Sequence, residues 1–193
     1  MEISRRILLF LALPGPASAA LQALSRSERS LGDARARLTV VEYFSLTCSR
    51  CADFALRSLP EIKARWIEPG RLRWVFYDFP TDKAALQAAM VARCLPPDRY
   101  ERFLYSLFAS QDHWLFGPGS VPDAIWPIAS EVGMDRATFD AALADTGLQD
   151  WIVGRALAAE RQWHVDATPT FIIRGRRYTG AMSADEFAKI LGG

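Results

Sequence analysis

Cysteine, histidine and net charge are all scarce in this chain of 193 residues. It contains 3 Cys and 2 His, and its formal net charge is only +1. A structural zinc site takes four ligands, usually as two pairs, so this composition disfavours zinc. The balanced charge provides no electrostatic basis for binding nucleic acid or an anionic membrane surface.

Long apolar runs are missing as well. The first apolar run covers only residues 7–13, whereas a helix that spans a membrane needs about 20 residues. Arg5 and Arg6 precede this run and an A-x-A pattern follows it at residues 17–19, which predicts a cleaved signal peptide at residues 1–19 rather than an uncleaved anchor. The paired arginines leave twin-arginine export open. We therefore expect a periplasmic or otherwise extracytoplasmic protein in an oxidising compartment.

Two of the three cysteines follow a strongly apolar stretch. Residues 39–51 read T-V-V-E-Y-F-S-L-T-C-S-R-C, and the β-branched and aromatic residues at their start predict a strand buried on both faces. Apolar residues then recur at helical spacing, so a helix is expected directly after the strand, with Ser45 or Thr47 as its N-cap. This layout places Cys48 in the first turn of that helix.

The position of Cys48 favours a thiolate, because unpaired N–H groups and the positive end of the helix dipole meet there. Cys51 follows three residues later, close enough to form a disulfide with Cys48. Ser49 and Arg50 modulate the pair, Arg50 through its fixed positive charge. A reactive thiolate beside a resolving cysteine is typical of thiol–disulfide exchange. The alternatives are a purely structural disulfide and a zinc site, for which a second pair of ligands is missing.

The middle of the chain predicts an α/β protein interrupted by helices. Residues 72–79 form a second predicted strand, which Pro80 ends, so the first half contains a β-α-β unit with parallel strands. Residues 81–163 contain helical patterns and no convincing strand. Residues 20–37 are polar and small, and we expect a short helix or a linker there.

Strand patterns return near the C-terminus. Residues 170–173 and 177–179 predict a hairpin. A helix is then expected at residues 184–191, because Ser183 and Glu186 match a capping box and Gly192 provides a stop. The order is therefore β-α-β followed by β-β-α, with helices between them.

Two motifs in this arrangement resemble those of the DsbA-like branch of the thioredoxin-fold thiol:disulfide oxidoreductases. They are E-Y-F-S-L-T-C-S-R-C at residues 42–51 and T-P-T-F at residues 168–171. The resemblance extends over essentially the whole mature chain. It implies an α/β thioredoxin fold with a helical subdomain inserted in its middle. The expected boundaries are a signal peptide at 1–19, a thioredoxin-like domain at 20–80 and 164–193, and the inserted helical subdomain at 81–163.

The resemblance also implies roles for three further residues. Pro169 corresponds to a proline that is cis in this family and packs against the disulfide, and Thr168 before it presents backbone groups to a bound substrate. The general chemistry of X-Pro bonds alone leaves cis and trans both open. Glu42 corresponds to a buried acid that assists proton movement at Cys51, and burial would raise its pKa. Its alternative is a solvated or salt-bridged carboxylate at the sheet edge.

Two features depart from the family pattern. Ser49-Arg50 stands where the family usually has Pro-His or Pro-Tyr, so the redox potential is open. Cys94 is an additional cysteine, which we interpret as a buried small apolar residue, with a reactive thiol as the alternative. His113 and His164 are interpreted as structural or surface residues.

The predicted function is that of an exported thiol:disulfide oxidoreductase, most consistent with a disulfide donor that uses Cys48 and Cys51. The redox-active disulfide serves in place of a cofactor, and no metal is expected. Predicted partners are exported proteins with thiols and a membrane quinone-linked reoxidase. The protein is expected to be a monomer. An isomerase is disfavoured, because the family's isomerases carry an N-terminal dimerisation domain, which residues 20–37 cannot supply. Alternatives are a client-specific reductase and a non-catalytic metal-binding or holdase module.

Overall fold

The computed structural model describes residues 16–192. Its strands are β1 (Arg29–Leu31), β2 (Leu38–Phe44), β3 (Leu72–Asp78), β4 (Thr170–Ile173) and β5 (Arg176–Thr179). Its α-helices are α1 (Pro16–Ser25), α2 (Ser49–Asp53), α3 (Leu59–Ile62), α4 (Lys83–Arg93), α5 (Pro97–Ala109), α6 (Gln111–Phe116), α7 (Val121–Glu131), α8 (Arg136–Ala144), α9 (Thr146–Trp163) and α10 (Ala184–Leu191). The predicted β-α-β and β-β-α units are both present, with α4 to α9 between them.

The strands form one mixed sheet in the order β1-β3-β2-β4-β5. The central strand β2 pairs in parallel with β3 and antiparallel with β4. Strands β4 and β5 form the predicted hairpin, and β1 pairs antiparallel with β3. The carboxyl end of β2 leads directly to Cys48, so the sheet fixes the position of the cysteine pair.

The helix after β2 is continuous but not regular. Phe54–Ser58 and Lys63–Ile67 are π-helical turns that flank α3. Pro60 lies in the first turn of α3 and has no N–H to donate to an earlier carbonyl. The π-helical turn ahead of it takes up this loss, because the Leu59 N–H bonds to the Phe54 carbonyl five residues back.

Both faces of the sheet are covered. Val40 and Phe44 point into the main core, which the helix after β2, α10 and several of the helices between β3 and β4 complete. Tyr43 belongs to a smaller core on the opposite face, where it packs with Ala159 of α9 and Ile172 of β4. This burial of both faces agrees with the uninterrupted apolar character predicted for β2.

The N-terminal part differs from the prediction of a short helix or linker. It contains both α1 and the edge strand β1, whose Arg29 is buried and donates to the carbonyl oxygens of Leu24 and Leu95. Residues 1–15 of the predicted signal peptide lie outside the described residues, and residues 16–19 belong to α1. Among residues 16–192, no helix has the length and apolar character needed to cross a membrane. The signal peptide and the domain boundaries stay predictions.

Candidate active site

Cys48 is the N-cap of α2. Its backbone is extended, with φ −81° and ψ 117°, and its sulfur accepts a hydrogen bond from the Cys51 N–H at 3.4 Å. The expectation that Ser45 or Thr47 caps this helix is therefore wrong. Thr47 instead donates to Asp82 Oδ2 at 2.5 Å, and the Ser45 hydroxyl lies 3.0 Å from that of Thr81. These contacts fasten the end of β2 to the segment after β3.

The two thiols have opposite environments. Cys48 is partly exposed, whereas Cys51 is fully buried. Hydrogen bonds from the Cys51 side chain, the Thr168 side chain and the backbone N–H groups of Cys51 and Arg50 lower the pKa of Cys48 to about 5, although partial burial opposes them. Burial, together with the hydrogen bond to Cys48, raises the pKa of Cys51 well above its ordinary value. Near neutral pH the accessible sulfur is therefore a thiolate and the buried sulfur a thiol.

The loop before β4 contacts Cys48. The Cys48 sulfur lies 3.3 Å from the Thr168 carbonyl oxygen. The Thr168–Pro169 peptide bond is cis, and Pro169 is buried. Two hydrogen bonds hold this loop, from Thr170 Oγ1 to the Ala167 carbonyl and from the Gly180 N–H to the Pro169 carbonyl. The structure therefore brings Thr168 and Pro169 together with Cys48.

Glu42 is a buried acid beside the cysteines. Glu42 belongs to the central strand β2, so it does not lie at the sheet edge. The residue is 3% exposed. Burial raises the pKa of Glu42 to about 8, while a hydrogen bond of 2.9 Å from Trp74 Nε1 lowers it in part. The charge of Glu42 in turn contributes to the raised pKa of Cys51. Glu42 also lines a cavity of about 410 Å³ whose walls are largely apolar.

The two residues between the cysteines are exposed. Ser49 and Arg50 open α2, and neither side chain is buried. Arg50 acts on the Cys48 pKa through its backbone N–H. Their exposed position leaves both side chains free to face a bound partner.

Two contacts at the site come from residues that the sequence did not single out. Gln111 of α6 is buried, and its Nε2 donates to the carbonyl oxygens of Leu46 at 2.8 Å and Cys48 at 3.3 Å. The other residue is Trp74, the hydrogen-bond donor to Glu42. Both contacts join segments that are far apart in the chain, so no local sequence pattern predicts them.

The remaining candidates make no hydrogen bond to either cysteine of the pair within the part of the chain that the structure describes. Cys94 is 5% exposed, and burial raises its pKa to about 11. His113 and His164 are both exposed, and His164 ends α9 in a left-handed conformation. Within residues 16–192, no group of three or more His, Cys, Asp or Glu residues has an arrangement that could hold a metal ion.

Comparison with known proteins places this geometry in a family. A family model described as thioredoxin matches residues 25–192. The chain belongs to the thioredoxin family. Within it, the resemblance to the DsbA-like branch and the predicted α/β thioredoxin fold with inserted helices are both confirmed by relatives of known sequence or structure.

The solved relatives agree over most of the chain. The structure of α-DsbA1 from Wolbachia pipientis superposes with a TM-score of 0.80 and 26% identity, covering 86% of this chain and 89% of that one. A protein-disulfide isomerase from Novosphingobium aromaticivorans gives a TM-score of 0.72 and 25% identity, covering 86% of this chain and 98% of that one. BdbD from Bacillus subtilis shares the fold at 22% identity, with a TM-score of 0.74 and coverage of 85% and 90%.

The curated relatives are longer proteins. One from Rickettsia felis, named as a protein-disulfide oxidoreductase, is 25% identical over 82% of this chain and 56% of its own length. One from Rickettsia conorii, named in the same way, is 26% identical over 80% of this chain and 56% of its own length. The chain thus spans a little over half of the length of these relatives.

Proposed function

We propose that this protein is a thiol:disulfide oxidoreductase that exchanges disulfides with thiol-containing exported proteins through Cys48 and Cys51, as a disulfide donor. The observation that carries the proposal is the contrast between the two sulfurs. An accessible sulfur with a pKa of about 5 is a good leaving group and a ready nucleophile, and a buried thiol three residues away resolves its mixed disulfides. The names of the Rickettsia and Wolbachia relatives support the same chemistry.

The oxidising half-reaction starts from the Cys48–Cys51 disulfide. A substrate thiolate attacks Cys48, which forms a substrate–Cys48 disulfide and releases Cys51 as a thiolate. Neutral Glu42 donates a proton to that thiolate, because both groups are buried and the carboxyl pKa of about 8 keeps it protonated at neutral pH. A second substrate thiolate then attacks the substrate sulfur, and Cys48 leaves as the stabilised thiolate.

Reoxidation runs through the same atoms. The Cys48 thiolate attacks a disulfide of the reoxidising partner, and the Cys51 thiol, deprotonated by Glu42, attacks Cys48 and expels the partner's thiolate. The proton received by Glu42 in this half-reaction replaces the one that it donated to Cys51. We assign the reoxidising role to a membrane quinone-linked protein. No cofactor is required beyond the disulfide itself.

Substrate binding is assigned to the loop that faces Cys48. The Thr168 carbonyl lies beside the reacting sulfur, so a bound peptide could pair with backbone groups there. We assign to buried Pro169 the role of packing this loop against the cysteines. The exposed side chains of Ser49 and Arg50 modulate partner choice and redox potential. The protein works as a monomer in the periplasm after removal of residues 1–19, with twin-arginine export as one route.

The proposal is tested by trapping the reaction intermediate. Cys51→Ala should accumulate a mixed disulfide between Cys48 and a reduced, unfolded protein supplied with oxidised glutathione, whereas Cys48→Ser should form none. The wild type should oxidise the same substrate catalytically. A Cys48→Ser variant with full activity would refute the assignment. Copper or zinc binding that survives loss of Cys51 but not of Cys94, in a protein without redox activity, would favour the metal-binding module.

A further inference from the structure

Trp74 of β3 and Glu42 of β2 lie on the same face of the sheet. In the parallel pair, Trp74 lies opposite Val40 and Glu42 lies opposite Phe76. Side chains two residues apart on a strand share a face, so Trp74 and Glu42 are diagonal neighbours on the main-core side. A long aromatic side chain can span that diagonal, and the indole N–H reaches Glu42 Oε2 at 2.9 Å.

The indole of Trp74 is held in place by other aromatic rings. It stacks on Phe54 with ring centroids 5.7 Å apart and an interplanar angle of 18°. Phe171 and Phe187 pack against it with centroids at 5.8 and 5.5 Å. Trp74 itself is fully buried. These ring contacts and the complete burial of Trp74 hold the indole in the orientation that directs its N–H at Glu42.

The hydrogen bond from Trp74 makes the two carboxyl oxygens of Glu42 different. Oε2 accepts from Trp74, while Oε1 accepts no hydrogen bond from any residue in the described range 16–192. Glu42 also forms part of the wall of the 410 Å³ cavity, whose apolar lining includes Phe44 and Phe108. One oxygen is thus anchored and the other is left for proton exchange.

We propose that Trp74 is a positioning residue that orients Glu42 and stabilises its carboxylate form for proton transfer with Cys51. This inference rests on the proposed function, since it concerns the acid and base of the same exchange reaction. A simpler interpretation is that Glu42 only satisfies a buried indole N–H. The two interpretations differ in what happens to proton transfer when the N–H alone is removed.

The test measures ring closure, the step in which Cys51 must lose its proton. Reduced protein is mixed with oxidised glutathione between pH 5 and 10.5, quenched in acid, and the glutathione adduct and closed disulfide are resolved by mass spectrometry. Trp74→Phe should shift the midpoint of the closure rate upward by about one pH unit and slow closure at pH 7 about tenfold, because the carboxylate loses its hydrogen-bond donor. Adding Trp74→Phe to Glu42→Gln should change the closure rate less than twofold.

Phe187→Leu is the matched control, because it disturbs the same aromatic cluster without removing a donor to Glu42. It should leave the midpoint where the wild type has it. Replacing Trp74 with β-(3-benzothienyl)alanine, which substitutes sulfur for the N–H, should reproduce the Trp74→Phe shift in a ring of nearly unchanged size. This second variant tests the proposal even where Trp74→Phe fails to fold.

A carbonyl-stretch titration of Glu42 by infrared difference spectroscopy gives a readout that is independent of turnover. The protonated carboxyl band should persist to higher pH when the indole N–H is missing. An unchanged midpoint in both Trp74 variants, an equal shift in Phe187→Leu, or a full additional effect in the Glu42→Gln background would each overturn the positioning role. A wild type that never closes its disulfide would instead overturn the proposed function.

Discussion

The Cys48 sulfur lies 3.3 Å from the carbonyl oxygen of Thr168, a residue 120 positions later in the chain. This contact joins the start of the active-site helix to the loop before β4. The strand pairing explains this contact. Because β2 and β4 are antiparallel neighbours, the end of β2, which leads to Cys48, lies beside the start of β4, which follows Thr168. The reacting sulfur is therefore positioned beside backbone groups that a substrate chain can reach.

Loss of the Thr168 hydroxyl should weaken the Cys48 thiolate. Thr168→Val keeps the backbone carbonyl and the shape of the side chain but removes one of the hydrogen bonds that lower the pKa of Cys48 to about 5. We expect that pKa to rise by up to about one unit. The thiolate absorbance at 240 nm, titrated from pH 3 to 9 in the reduced protein, measures it. An unchanged midpoint would contradict a role for the hydroxyl, and Thr39→Val, at an exposed threonine of β2, serves as a control on the same sheet.

Glu42→Gln should make the reduced protein more stable. The folded pKa of Glu42, about 8, lies above the ordinary value of 4.5, so the folded state resists an ionisation that the unfolded state undergoes freely. The wild type therefore loses stability relative to the variant as pH rises from 4.5 to 8. At pH 7 the difference should be about 3 kcal/mol in the free energy of unfolding. Urea unfolding at pH 4.5 and pH 7 tests this, and equal differences at both pH values would show that Glu42 ionises normally.

Breaking the buried ion pair of Arg93 and Asp78 should lower the free energy of unfolding strongly. The two side chains are 2% and 4% exposed, and Arg93 Nε lies 2.5 Å from Asp78 Oδ2. Arg93→Met leaves a buried carboxylate without its partner and should cost about 3–5 kcal/mol in urea unfolding. The double variant Arg93→Met, Asp78→Asn removes both charges and should recover part of that loss. A double variant as unstable as the single one would mean that packing, not charge, sets the cost.

Cys94 should behave as a buried apolar residue. Its exposure of 5% and its pKa of about 11 predict a thiol that does not react at pH 7. In Cys48→Ser, Cys51→Ser protein, the remaining thiol should react with Ellman's reagent only after denaturation. Cys94→Ala should keep the redox activity of the wild type. Rapid labelling in the folded protein would support the alternative of a reactive third cysteine.

Sequence patterns were sufficient where the local signal was strong. The apolar runs predicted β2 and β3 to within a residue or two, and Ser183 and Glu186 form the predicted capping box at the start of α10. The family resemblance supplied Cys48, Cys51 and the segment around Pro169 as one group. The structure brings these residues together, while their roles remain predictions for the experiments above.

Features that depend on distant contacts were not predictable in this way. Strand β1 has only three residues, and its pairing goes with the burial of Arg29, an unusual residue for an interior. Helix α6 has six residues, fewer than two turns, so its sequence shows little helical periodicity. Gly147 interrupts the helical pattern in the sequence, yet it lies within α9, because Asp145 caps that helix before it. Trp74 reaches Glu42 only after the sheet has formed.

The central claim, that this protein donates disulfides, is tested most directly by the redox equilibrium of Cys48 and Cys51 with glutathione. Cys94→Ala protein would be equilibrated over a range of reduced to oxidised glutathione ratios, and the fraction of closed disulfide measured by mass spectrometry. A stabilised Cys48 thiolate favours the reduced form, so we predict a potential of about −100 to −200 mV. A value below about −250 mV would contradict the donor assignment and indicate a reductase.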